Sequence, residues 1–210
     1  ASPSMAVSSP ELDMYKLAGR SGELDRALGC IYGNALGDAF GLSTEFETAE
    51  SVKEMYGAAP IGFPDYKSTP HNSRWTRGDW SDDTDQMILI MDTLTRHTAC
   101  DEKVFARKLL IWIYRGFPEL GDIGGQGLGT TTAAVCHHRQ FLADPLLASC
   151  ETYRRGGGNA APNGALMRTS VIGCFRHTDL HGVVTNAIRF AKVTHWDERC
   201  VASCVLSSLP

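Results

Sequence analysis

The sequence is short of the features that most quickly assign a class. It has no apolar run of the roughly 20 residues that a membrane-spanning helix needs. It has no basic surplus: the net charge is −4, which gives no general attraction to nucleic acid or to anionic membranes. It has seven cysteines but no CxxC pair, namely Cys30, Cys100, Cys136, Cys150, Cys174, Cys200 and Cys204. An odd, scattered set argues against a disulfide scaffold, and the spacing that a zinc site requires is absent, so reduced thiols in a cytoplasmic protein are the simpler reading. Neither an HExxH helix nor a GxSxG elbow occurs, and no cysteine has a histidine partner nearby in sequence. Covalent serine or cysteine catalysis is therefore unsupported. No secretory signal is evident, and the small, polar opening over residues 1–20 is expected to be a loose tail.

What is present is helical. Of the 210 residues 43% are hydrophobic and 21% charged, ordinary values for a globular chain. Periodicity predicts helices over 21–41, 48–57, 82–97, 101–117, 130–142, 145–154, 164–175, 180–193 and 197–208. Ser21 is a plausible N-cap of the first. Residues 58–80, rich in Pro, Gly and Ser, read as loop, as do 118–129 and 154–164. No convincing alternating strand or internal repeat interrupts the pattern, so the expectation is a single all-α domain over 21–210. Gly29, Gly33, Gly37 and Gly41 fall every fourth residue in the first helix. Each costs about 1 kcal/mol against alanine there. They imply close approach by another element or a helix that ends early, with a ligand-facing role for the last two equally open.

The chemistry concentrates in "RGDWSDDTDQMILIMDTL", residues 77–94, where Asp79, Asp82, Asp83 and Asp85 fall within seven positions. Helix capping by Asp79 or Ser81, with acids in a first turn suiting the positive helix end, is one explanation. A calcium loop is a second, and it fails: Thr84 stands where glycine belongs and Ile90 where the closing glutamate belongs. A magnesium-type site at Ser81, Asp82 and Asp83 is the third, since hard cations take carboxylate and hydroxyl oxygens. The glycine-rich stretch 124–131 is not a Walker loop, because Thr130 replaces the lysine, and no strand precedes it as a Rossmann turn would require. It could still hold an anion, as could 156–159 and 163–168, where Asn163 is a candidate N-cap; a surface loop is the plainer alternative. His195, between two helices, reads on its own as a capping or surface residue.

Taken together, "GNALGDAFGLSTEFE" (33–47), "WSDDTDQMILI" (80–90), "GDIGGQGLGTTT" (121–132), "NGALMRTSVIGCF" (163–175) and "THWDERCVASCV" (194–205) resemble the ADP-ribosylglycohydrolase family. The resemblance runs from about residue 24 to the end. It implies an orthogonally packed all-α fold with two magnesium, sometimes manganese, ions in a central cleft. The activity it implies is cleavage of the bond between ADP-ribose and an acceptor side chain. The implied partners are ADP-ribosylated protein or an ADP-ribose-containing small molecule, with no nucleic acid and no membrane. Mapped onto this chain, Ser81, Asp82 and Asp83 resemble the first metal-ligand set, with Ser in place of the usual Thr. Glu45 resembles a mobile acid near the scissile bond, and Asp122 a residue that orients the substrate. Gly124, Asn163, Gly164 and His195 would contact or shape the ADP-ribose pocket. Glu198 replaces a frequent proline, with little effect expected. The family's second acidic stretch, D-x-D-T, does not occur, so the sequence is either a fragment or naturally short. A catalytically inactive ADP-ribose-binding or crystallin-like structural member of the same fold is the alternative.

Overall fold

The computed structural model describes residues 22–58 and 60–209. The expected tail over 1–20 and the expected cap Ser21 lie outside the described residues. Eight α-helices form among them: α1 Gly22–Gly41, α2 Ala49–Tyr56, α3 Asp82–His97, α4 Glu102–Arg115, α5 Thr130–Cys136, α6 Pro145–Arg155, α7 Leu180–Lys192 and α8 Glu198–Ser208. Short 3-10 helices stand at Phe63–Asp65, Asn72–Arg74, Pro118–Leu120, Asn163–Arg168 and Ser170–Cys174. No strand occurs among the described residues. The architecture is all-α, as the periodicity implies. No helix among them is long and apolar enough to cross a membrane.

Local chemistry explains most of the boundaries. Asp101, Asp144 and Asp179 each place a carboxylate oxygen on a free N–H of the first turn of α4, α6 and α7. This satisfies donors that a helix start leaves unpaired. Gly116, at φ +58°, ends α4 in a conformation that favours glycine. The apolar faces meet in one main core. Met87, Ile90 and Leu94 of α3 pack with Phe105, Leu109 and Trp112 of α4 and with Val183, Ala187 and Phe190 of α7. Phe105 and Phe190 meet edge to face with ring centroids 5.2 Å apart, the geometry their quadrupoles prefer.

Four expectations need correction. The helix expected over 130–142 stops at Cys136, because His138 Nδ1 accepts from Gln140 N and draws the chain into turns. The helix expected over 164–175 is two 3-10 segments. There the Thr169 hydroxyl bonds Leu166 O, competing with the helical ladder, and the backbone of Ser208 lies so close that a Cβ on Gly173 would stand 2.4 Å from its carbonyl oxygen. Asn163 is the first residue of that segment, not its cap; Pro162 holds the cap position. Finally, no element among the described residues approaches the glycine stripe. A Cβ at Gly29, Gly33, Gly37 or Gly41 would meet nothing within 4 Å, and α1 runs unbroken to Gly41. The side of α1 away from the stripe is tied down instead. Ser170 Oγ donates to Asn34 Oδ1 at 3.0 Å, and Asp38 reaches the head of α3.

Candidate active site

The start of α3 is built by a residue from another helix. Ser81 occupies the N-cap position but does not cap with its own side chain. Asp38 of α1 takes that role. Its Oδ2 accepts from Ser81 N at 2.9 Å, Thr84 N at 3.0 Å and Thr84 Oγ1 at 2.7 Å, and its Oδ1 accepts from Ser81 Oγ at 2.7 Å. One carboxylate thus satisfies two first-turn N–H groups and holds the Ser81 hydroxyl in place. Spacing alone offered Asp79 or Ser81 as cap. Nothing local could name Asp38, which lies 43 residues before Ser81.

Asp82 and Asp83 follow at once, neither paired with a cation by a direct salt bridge among the described residues. Asp82 is buried and Asp83 half-buried. Burial first, then the charges of Asp83, Asp38 and Glu45, push the Asp82 carboxyl up to about 8. Burial, then Asp38 and Glu45, pushes Asp83 up to about 7. Glu45, in the turn after α1, is therefore within electrostatic reach of both. It is exposed, and its Oε2 lies 2.8 Å from His71 Nε2. Its neighbour Phe46, at φ +62°, stands exposed with its ring edge-on to His71.

The glycine-rich segment closes over this head. Gly127, at φ +90°, lies so near Asp82 that a Cβ there would be 2.5 Å from Asp82 Oδ1. Beside it, Asp85 is buried with one oxygen accepting from Trp80 Nε1 and the other from Trp112 Nε1, both at 2.8 Å. Burial outweighs these two donors and raises its carboxyl to about 6. Asp122 and Gly124 line a small cavity with Trp80, Asp85 and Asp79. Asp122 is positioned by Phe117 N, which donates to its Oδ2 at 2.8 Å. Gly116 leaves it room, since a Cβ there would overlap the Asp122 side chain.

A second cluster begins one turn further along α3. Gln86 Nε2 donates to Asp82 Oδ2 at 2.9 Å, and Gln86 Oε1 accepts from Arg168 Nη1 at 2.5 Å. Arg168 is 0% exposed. Its Nη2 donates to Thr194 Oγ1 at 2.6 Å and to Phe190 O at 3.3 Å, and its guanidinium carbon lies 5.1 Å from the Phe105 ring centroid. Thr194 Oγ1 lies 2.9 Å from His195 Nδ1. His195 is buried, lying against Gly164, where a Cβ would be 3.0 Å from its Cε1. With Thr130, Thr131, Tyr153 and Trp196 it lines a cavity of about 170 Å³. Asp197 anchors the rim. It accepts from Tyr153 Oη, Arg199 N and the Arg199 guanidinium, and Arg199 also holds Asn159. Those bonds keep the Asp197 carboxyl well below the usual carboxylate range.

The structure thus gathers Ser81, Asp82, Asp83 and Glu45 on one side of α3. It places Asp122 and Gly124 beside Asp85, and sets Gly164 against His195. Asn163 is exposed next to them. Asp38, Gln86, Arg168 and Thr194 were not selected from the sequence, and Asp85 was noted only as part of the acidic run; Gln86, one turn after Asp82, was the one a helical spacing argument could have found. The donor chemistry at the head of α3, carboxylates with a hydroxyl, fits a hard divalent cation. The count is short: among the described residues no three His, Cys, Asp or Glu side chains converge closely enough to hold an ion.

Comparison with known proteins bears on this geometry. The ADP-ribosylglycohydrolase family matches residues 20–209. An uncharacterized protein of Archaeoglobus fulgidus is 27% identical over 177 residues, covering 84% of this chain and 51% of its own. The ADP-ribosylarginine hydrolase Tri1 of Pseudomonas putida is 26% identical over 185 residues, covering 87% and 45%. The uncharacterized protein YegU of Escherichia coli is 27% identical over 184 residues, covering 87% and 52%. The chain spans about half the length of the curated relatives it matches. With the match running through every segment that builds the site, the chain belongs to the ADP-ribosylglycohydrolase family.

Proposed function

We propose that this chain serves a magnesium-dependent hydrolase that cleaves the glycosidic bond between ADP-ribose and an acceptor side chain. The observation that carries this reading is the crowding of Asp82 and Asp83 against Asp38 and Glu45 at the head of one helix, with no direct cation partner. Among the described residues no lysine or arginine pairs directly with either aspartate, and Arg168 reaches Asp82 only through Gln86, so an exogenous cation is the group proposed to relieve the repulsion. Ser81, Asp82 and Asp83 would hold magnesium, with manganese as a substitute, and the family precedent is for two ions. A bound divalent ion supplies Lewis-acid polarisation to ribose hydroxyls or to a water.

The protein's own residues divide the remaining work. Asp38 fixes the Ser81 hydroxyl and the first turn that presents the two aspartates. Glu45, exposed and within electrostatic reach of both aspartates, would move a proton at the scissile bond, the general role of a carboxylate in glycoside hydrolysis. Asp122, held by Phe117 N, would orient the substrate alongside Gly124. Asn163, Gly164 and His195 would bound the ADP-ribose near the Tyr153 cavity. The partner is an ADP-ribosylated protein or an ADP-ribose-containing small molecule. The Tri1 relatives carry the name ADP-ribosylarginine hydrolase, which makes modified arginine the first acceptor to test. All seven cysteines are free, which suits the reducing cytoplasm.

The test is release of ADP-ribose from ADP-ribosylarginine with and without magnesium, using Asp82→Ala plus Asp83→Ala as the control. Magnesium-dependent release lost in the double variant is the expected result. Release that ignores magnesium, or that survives the double variant, ends the proposal. The short ligand count favours a second reading, a non-catalytic ADP-ribose-binding or crystallin-like structural member. Calorimetric binding of ADP-ribose without turnover selects the binding module, and neither binding nor turnover selects the structural role.

A further inference from the structure

Arg168 sits between the acidic head of α3 and the His195 cavity, and a guanidinium is a donor with no acceptor lone pair. Every group that bonds it must therefore accept. At one end Gln86 must offer its carbonyl oxygen, so its amide nitrogen is the atom turned to Asp82. At the other end Thr194 Oγ1 accepts from Arg168 Nη2 at 2.6 Å. The Thr194 oxygen keeps a second lone pair, but its hydroxyl has no hydrogen-bond partner among the described residues other than Arg168, which only donates, and His195 Nδ1 at 2.9 Å, so its proton goes to Nδ1. A donor at Nδ1 requires a bare nitrogen there, which leaves the single proton of a neutral imidazole on Nε2.

We infer that Arg168 is a positioning residue that, through Thr194, locks His195 as the neutral Nε2–H tautomer. Two further observations agree. Burial, then the charge of Arg168, pushes the His195 pKa down to about 3, so the ring is neutral at physiological pH. Arg168 itself, lowered by burial to about 10, keeps its charge there. Nε2 has no protein partner among the described residues. A Cβ on Gly164 would stand 3.1 Å from it, so glycine keeps a side chain away from this nitrogen at that position. His195 thus offers one N–H donor, suited to an oxygen acceptor such as a ribose hydroxyl or a phosphate. The identity of that acceptor rests on the function proposed above; the tautomer does not.

The experiment is 15N NMR of the histidine ring nitrogens in the intact chain at neutral pH. The expected spectrum gives His195 a protonated Nε2 and a bare Nδ1. A protonated Nδ1, or an imidazolium, overturns the inference. Thr194→Val removes the hydroxyl, and His195 should then populate both tautomers, with ADP-ribose binding weakened about twofold at equal populations, the reciprocal of the competent fraction. A Thr194→Val chain that is folded by circular dichroism yet keeps pure Nε2–H also overturns it. If that variant fails to fold, Thr194→Ser decides: with the hydroxyl retained the wild-type tautomer is expected, and a switch of tautomer refutes the relay. Wild-type protein that binds no ADP-ribose would sink the proposed function, while the ring-nitrogen spectrum would still decide the tautomer.

Discussion

At the head of α3 carboxylates gather with no direct cation partner among the described residues, whereas one turn along the same helix a guanidinium is buried without a carboxylate. Asp82 and Arg168 are nonetheless joined, through the neutral amide of Gln86. A direct ion pair would tie up the Asp82 oxygens and neutralise the cluster. The relay instead uses Oδ2 for a neutral donor and leaves the carboxyl raised, to about 8. Burial of a charge without a counter-charge is costly, and each region meets that cost differently. Arg168 is surrounded by neutral acceptors and an aromatic face. The aspartates are pushed toward protonation and are suited to an ion. A second contrast runs through the glycines. Gly125 and Gly127 sit where a side chain has no room, and those of the α1 stripe face open space.

These contrasts can be broken in order of expected effect. Arg168→Met leaves Gln86 Oε1, Thr194 Oγ1 and Phe190 O short of a donor, and should cost on the order of 3 kcal/mol. The midpoint of urea unfolding measures it, and a variant near wild-type stability would mean the guanidinium holds nothing. Gly127→Ala combines a left-handed backbone with a clash on Asp82 Oδ1 and should cost about 2 kcal/mol. An unchanged unfolding midpoint would show that the loop does not rest on Asp82. Asp38→Ala removes the cap of α3, worth about 1–2 kcal/mol, but also relieves repulsion on Asp82 and Asp83. The net loss should be about 1 kcal/mol, and it should grow when salt screens the repulsion that the substitution would otherwise relieve; increased stability would mean repulsion outweighs capping. Gly33→Ala, in an open interior helix position, should stabilise by about 0.5–1 kcal/mol, read as a higher melting temperature. A lower one would place an unseen neighbour on the stripe.

Much of the fold was legible because helices are local. The caps Asp101, Asp144 and Asp179 stand beside the turns they satisfy, and the apolar spacing of α3, α4 and α7 shows which faces are buried. The errors fell where tertiary contacts overrode the local pattern. Residues 163–174 have helical spacing, yet the buried Arg168 and the close backbone of Ser208 leave only 3-10 turns. The glycine stripe suggested close packing because four glycines in a helix are costly, and among the described residues no partner explains them. The site was legible in part. Adjacent carboxylates at a helix start mark themselves, and that pattern singles out Ser81, Asp82 and Asp83 as candidates; Asp38 and Thr194 carry no such mark.

Composition and periodicity were sufficient, by themselves, to determine an all-helical chain with a carboxylate cluster at the start of one helix, since both follow from the order of neighbouring residues. Tertiary structure alone decided which group caps that helix, what lies beneath Asp82, and how a buried arginine meets His195. Those outcomes depend on side chains tens of residues apart in sequence, brought within hydrogen-bonding distance only when the helices pack, with burial then setting the strength of each charge and hydrogen bond.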